Sequence, residues 1–174
     1  YYMMGKSSSG KDSIFKEVKK RMPGLKDIVL YTTRPIREGE TDGVEYHFVN
    51  EEKLRELEQK RCVIELRAYH TKCGIWKYFT ADDGQIELDR YDYQVIGTLE
   101  SYEAMRRYYG QEKLIPVYVE VEDGVRLERA LMRERQQAEP KYAEMCRRFL
   151  ADSEDFSEEN LNRVGIERRF ENVD

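Results

Sequence analysis

Cysteine is scarce in this 174-residue chain, and the three present, Cys62, Cys73 and Cys146, are odd in number and widely spaced. That arithmetic argues against a disulfide framework and leaves scattered reduced thiols as the expectation. His70 and Cys73 could make two metal ligands, but no second pair completes a site. No apolar run approaches the length of a membrane span. No signal peptide is visible, and the chain opens on Tyr1, inside an expected strand and without an initiator methionine, so residues missing before it are expected. An excess of basic residues is lacking too: the formal net charge is −5, which argues against a general nucleic-acid binder. What is present is 40% hydrophobic and 37% charged residues, the balance of a soluble chain long enough for one domain with a full core.

The most informative stretch is Gly5-Lys6-Ser7-Ser8-Ser9-Gly10-Lys11-Asp12. It begins where the apolar run Tyr1–Met4 stops, and it leads into Ser13–Val18, which reads as a helix. Strand, glycine-framed loop and helix are the context of a phosphate-binding loop, whose pattern is glycine, four residues, glycine, lysine, then serine or threonine. Asp12 takes the last position here, with Ser13 behind it. A tight turn before a helix points backbone N–H groups inward and adds the positive end of the helix dipole, which makes an anion cradle. Gly5 and Gly10 allow close approach of the backbone, and Lys11 sets a point charge on the outer phosphates. The alternative is a Gly/Ser-rich turn with an incidental lysine; the flanking strand and helix favour Gly5, Ser7, Ser8, Ser9, Gly10, Lys11, Asp12 and Ser13 as a phosphate site.

Along the chain, Ile14, Phe15, Val18 and Met22 share one face of a helix over 11–22, which Pro23-Gly24 ends. Residues 27–32 read as a strand, giving a βαβ unit and a parallel sheet. The segment 32–49 is polar and turns at Gly39 and Asp42-Gly43 before an alternating strand over 45–49. Arg34 and Arg37 suggest a second anion site, since the guanidinium fork matches phosphate, although on charge alone a solvated loop is the better reading. Asn50 caps an expected helix over 51–60 that turns Leu54 and Leu57 inward. Asp82-Asp83-Gly84 marks a turn, and 85–92 is open between a helix and the return arm of a hairpin. A core strand is expected over 93–97 and a helix over 101–109. A buried parallel strand follows over 114–121, where Pro116 suggests an edge or a bulge. The segment 123–156 is rich in arginine, with Arg129 and Arg133 four apart on one helical face and Glu128, Glu134 and Glu154 as available partners. A last strand is expected over 163–166.

Thr32-Thr33-Arg34, then Pro35, Arg37, Gly39-Glu40, Gly43 and Tyr46 before an aromatic-valine strand, together with the loop at Gly5–Ser13, resemble the guanylate kinase family. The resemblance covers nearly the whole chain in element order and is specific in those two places. It implies an α/β, three-layer P-loop kinase fold with a parallel core sheet in a single domain over 1–174. The core would be 1–33, 81–125 and 156–174, with a small mixed acceptor-binding lobe at about 34–80 and a helical lid at about 126–155. The reaction it implies is transfer of the γ-phosphoryl of ATP to GMP with Mg2+, in a cytoplasmic enzyme that is a monomer or weak homodimer and binds neither nucleic acid nor membrane. Lys11, Arg34, Arg133 and Arg148 would be catalytic. Arg34, Arg37 and Tyr46 would grip the acceptor's monophosphate, Glu65 would read the guanine edge, and Tyr78 and Thr80 match the family's second tyrosine and hydroxyl. The segment 69–77 is longer than is usual in the family, and its Trp76 is expected to pack the acceptor lobe. Two positions depart from the family. Gly97-Thr98-Leu99-Glu100 stands where aspartates usually hold magnesium through water, and Thr98 or Glu100 could substitute; Ser13, and Asp12 through water, are the other metal candidates, and Leu30 stands where a serine is frequent. The stretch 171–174 resembles the asparagine-aspartate turn near the donor adenine, with the family's final helix expected beyond it. Two other readings stay open: a kinase with a different nucleotide or a phosphorylated sugar as acceptor, and a catalytically degenerate module that binds partner peptides.

Overall fold

The computed structural model describes residues 1–71 and 73–173, and the chain divides into two units. One comprises Tyr1–Pro23, Ile96–Glu103 and Ile115–Asp174, the other Gly24–Val95 and Ala104–Leu114. In chain order the elements are β1 (Tyr2–Met4), α1 (Lys11–Arg21), β2 (Lys26–Asp27), β3 (Tyr31–Thr32), β4 (His47–Phe48), α2 (Glu51–Gln59), β5 (Val63–Thr71) and β6 (Gly74–Ala81). They continue with β7 (Tyr93–Ile96), α3 (Leu99–Tyr109), β8 (Pro116–Glu120), α4 (Asp123–Arg135), α5 (Tyr142–Asp155), α6 (Glu158–Val164) and β9 (Arg169–Glu171).

In the first unit β8 runs parallel to β1 on one side and to β9 on the other, with Met3 opposite Val117 and Tyr118 opposite Arg169. Tyr2, Met3, Met4, Tyr118 and Val119 are buried, the continuous apolar run of a strand covered on both faces. Pro116 marks neither an edge nor a bulge. It is the first residue of β8, where the missing N–H interrupts no established ladder. The strand expected over 163–166 is instead the end of α6. Ser157 accepts from Asn160 N at 3.3 Å, Leu161 and Val164 are buried three residues apart, and Gly165, at φ 81°, closes the helix in the left-handed region. Caps at both ends outweigh the short apolar pattern, and the last strand lies further on as β9.

In the second unit β2 pairs parallel with β7, and a separate mixed sheet has the order β4-β3-β6-β5. The single strand expected over 27–32 is therefore split in two. Between the halves the side chain of Gln85 accepts from Val29 N at 3.0 Å and donates to Val29 O at 3.3 Å, standing in for a strand neighbour. The segment 85–92 is thus neither helix nor hairpin arm. Asn50 caps α2 as expected, accepting from Lys53 N at 2.8 Å, and Leu54 and Leu57 pack with Tyr31, Phe79 and Ala81. A bulge in β5 between Val63 and Glu65 breaks the alternation. It lets Val63 and Leu66 both join that core while Glu65 stands opposite Thr80.

The three cysteines are free. Among the described residues no helix is long and apolar enough to cross a membrane.

Candidate active site

The phosphate loop leaves β1 at Gly5, packed so closely on β8 that a Cβ there would lie 2.5 Å from Val119 O. Ser8 and Gly10 take left-handed φ values of 64° and 83°, which turn successive amides toward one side. Asn172, after β9, pins the loop by donating to Ser9 O at 2.9 Å, and a Cβ on Gly10 would overlap that amide. Gly10 is the N-cap of α1 and supplies no side-chain acceptor, so no cap side chain engages the first-turn N–H groups of Lys11, Asp12 and Ser13. Lys11 lies along the loop with its side chain 17% exposed, and its Nζ is 3.7 Å from the Asp12 carboxylate, which is 75% exposed.

Helices α4 and α5 bring three further side chains to the loop. Asp152 accepts from Ser7 N at 2.6 Å. Arg126, 1% exposed, donates from Nη1 to Ser7 O at 3.0 Å and from Nε and Nη2 to Asp123 Oδ1 at 3.0 and 2.7 Å. Burial pushes the Asp123 carboxyl up, but the bonds from Arg126 and Lys6 outweigh it and hold the group below the usual carboxylate range. Arg133 donates to Ser8 Oγ at 3.3 Å. Arg148 is exposed and has no hydrogen bond or ion pair among the described residues. Beside the loop, a cavity of 460 Å³ opens at the ends of β8 and β9, lined in part by Lys6, Glu120, Asp123, Arg126 and Asn172. Asp174, the last residue of the turn noted above, lies outside the described residues, as does Lys72 in the segment 69–77.

The second unit holds the acceptor candidates. Arg34 is 4% exposed and nearly saturated: Nε donates to Tyr78 Oη at 3.2 Å, Nη1 to Pro35 O at 3.0 Å, and both Nη atoms to the Glu40 carboxylate at 2.7 and 2.5 Å. The Arg34 bond holds the Glu40 carboxyl down at about 2. The Arg34 guanidinium also lies 5.3 and 5.2 Å from the Tyr46 and Phe48 ring centres. Tyr46 meets Tyr78 edge-on at 5.6 Å, and burial raises its hydroxyl pKa. Arg37 sits 5.9 Å over the Trp76 ring, with no ion pair among the described residues. Glu65, 6% exposed, accepts from Thr80 Oγ1 at 2.7 Å and from Arg67 Nε at 3.0 Å. The structure thus gathers Arg34, Tyr46 and Tyr78 into one cluster and joins Glu65 to Thr80.

Sequence reasoning assigned no role to Glu40, Arg67, Arg126 or Asp152. Arg126 and Asp123 stand three apart on a helix and were within reach of a spacing argument. Asp152, 145 residues from Ser7, carries no local signal. At Gly97, the first residue of the departure over 97–100, a Cβ would overlap Tyr2 Oη, which is hydrogen-bonded to Ser101. Among the described residues no group of three or more His, Cys, Asp or Glu side chains could hold a metal ion. Magnesium asks for less, because it keeps several waters and rides on substrate phosphates. Asp12 and Ser13 lie in the first turn of α1.

A parallel strand, a glycine-framed loop with Lys11 and an uncapped helix N-terminus define a phosphate-loop α/β protein. The family model for guanylate kinase matches residues 1–74 of the chain. Guanylate kinase from Frankia casuarinae is 47% identical over 55 residues, covering 32% of this chain and 30% of that protein. Guanylate kinase from Aliivibrio fischeri is 36% identical over 90 residues, covering 48% of this chain and 44% of that protein. The chain therefore spans less than half the length of these curated relatives. The crystal structure of guanylate kinase from Anaplasma phagocytophilum superposes with a TM-score of 0.60 at 13% identity, covering all of this chain and 77% of that one, a likeness of fold. The likeness of fold covers the whole chain, whereas the family model matches residues 1–74.

Proposed function

We propose that the chain is a cytoplasmic nucleoside monophosphate kinase, acting as a monomer or weak homodimer, that transfers the γ-phosphoryl of ATP to GMP. The observation that carries this reading is that one chain holds a pinned loop bearing Lys11 in one unit and, within the other, an arginine-tyrosine cluster and a buried Glu65–Thr80 pair. Phosphoryl transfer needs little covalent help from a protein, so positioning and charge neutralisation do most of the work. The loop amides and Lys11 hold the donor's outer phosphates, and Arg133 adds a charge beside Ser8. Arg148, on the exposed face of α5, would reach the phosphates only on movement of that helix. Arg37 takes the acceptor's monophosphate, and Arg34 lends its remaining Nη2 N–H while its bond to Tyr78 orients that hydroxyl. Glu65 accepts from the guanine N–H groups through lone pairs that Thr80 and Arg67 leave open. Bound with ATP, magnesium would neutralise donor charge, with the Ser13 hydroxyl and, through water, Asp12 to hold it.

The test is a coupled assay of ADP release with ATP, magnesium and a panel of nucleoside monophosphates. The expected result is GMP-dependent turnover that disappears in Lys11→Ala and drops sharply in Arg37→Ala. No turnover with any acceptor, despite measurable ATP binding, would overturn the enzyme reading. Turnover that prefers another monophosphate would overturn the guanine assignment alone.

A further inference from the structure

Asp152 engages the backbone of the loop between β1 and α1. Its Oδ2 takes the Ser7 N–H at 2.6 Å, a short charge-assisted bond to the middle of the phosphate loop. Arg126 lies behind it, with Nη1 3.9 Å from the same oxygen and 3.0 Å from Ser7 O. Two bonds to Asp123 Oδ1 and the Phe149 ring, 4.5 Å from the guanidinium carbon, hold that cation in place. A loop amide, a carboxylate and a buried guanidinium therefore meet where a phosphate oxygen would find both a donor and a positive charge.

We propose that Asp152 is an internal anion of the donor phosphate site: a phosphate oxygen of the donor replaces it on the Ser7 amide, and Arg126 then faces that phosphate. The proposal rests on the phosphate-loop reading of Gly5–Ser13. One N–H cannot hold two anions at hydrogen-bond distance, and the anions repel at such range. Arg126 does not leave with Asp152, because its own bonds run to Asp123 on α4 and to Ser7 in the loop. The exchange thus substitutes one negative group for another beside a buried cation and never leaves that cation without a counter-charge. Two consequences follow from the position of Asp152 on α5. The carboxylate weakens donor affinity by competition, and donor binding releases α5 from the loop.

The experiment uses the full chain and inorganic tripolyphosphate, which carries the donor's charge without its base. Titration calorimetry compares the wild type with Asp152→Asn and Asp152→Ala. Both variants are expected to bind about tenfold more tightly, the worth of one charge-assisted bond. Affinity that is unchanged or weaker in a variant whose thermal unfolding matches the wild type overturns the proposal. Hydrogen exchange on the wild type needs no variant: tripolyphosphate should slow exchange over 5–13 and speed it over 149–155. Unchanged or slower exchange over 149–155 overturns the proposal as well. Absence of binding to the wild type and to both variants would overturn the phosphate-loop reading along with it, which separates the two failures.

Discussion

At Gly97 an added methyl group would overlap the Tyr2 hydroxyl, whereas at Gly24 it would meet nothing within 4 Å. Gly97→Ala is therefore expected to cost about 2–3 kcal/mol and Gly24→Ala less than about 0.5 kcal/mol, read by denaturant unfolding. Equal effects at the two sites would refute the packing account of Gly97. Glu40 allows a test by pH. Its carboxyl is held at about 2 by Arg34, against about 4.3 in an unfolded chain. A depressed carboxyl stabilises the fold above its unfolded value and loses that contribution as pH falls through the folded one. Glu40→Gln should cost about 2 kcal/mol near neutral pH, and the gap to the wild type should close between about pH 4.5 and 2. A gap independent of pH would place the effect in packing. The loop residues and the Arg34–Tyr46 motif were legible because their spacing is short and their chemistry local. Asp152 was not, because its role depends on a loop 145 residues away that α5 packs beside.

At the scale of elements, local caps explain most of what could be read. Asn50 and the apolar pair Leu54 and Leu57 announced α2, and Pro23-Gly24 announced the end of α1. The stretch 163–166 misled because Val164 and Ile166 alternate as in a strand, yet both are buried from a helix and its C-terminal turn. The cap account of α6 predicts that Ser157→Ala costs about 1 kcal/mol and that Gly165→Ala, at a left-handed φ, costs about the same. Calorimetric unfolding of both variants checks it, and neutral outcomes would mean that burial of Leu161 and Val164 suffices without caps. The bulge in β5 lies beyond any periodicity argument, since it flips the face of Glu65 through one extra residue opposite β6.

For the whole molecule, a ligand that binds only the folded chain raises its stability by mass action. ATP at about a hundred times its dissociation constant should add about 2.7 kcal/mol, a rise in Tm of several degrees for a chain of this length. Lys11→Ala should show little of that rise. An equal rise in Lys11→Ala would remove Lys11 from the phosphate site, and no rise in the wild type would remove the donor reading itself.

The sequence alone determined the chemistry available to this protein. A glycine-framed loop ahead of a helix makes an anion cradle whatever surrounds it, and arginines in a fixed pattern with tyrosine match a phosphate by charge and shape. The tertiary structure decided which of those charges are already committed. Glu40, Tyr78 and Pro35 O together occupy most of the Arg34 fork, Arg67 and Thr80 hold Glu65, and Asp152 takes a loop amide beside Arg126. The physical reason is that a charge on a strand or helix finds its partner by proximity in space. Proximity between residues 7 and 152 is a property of packed elements that no local spacing encodes.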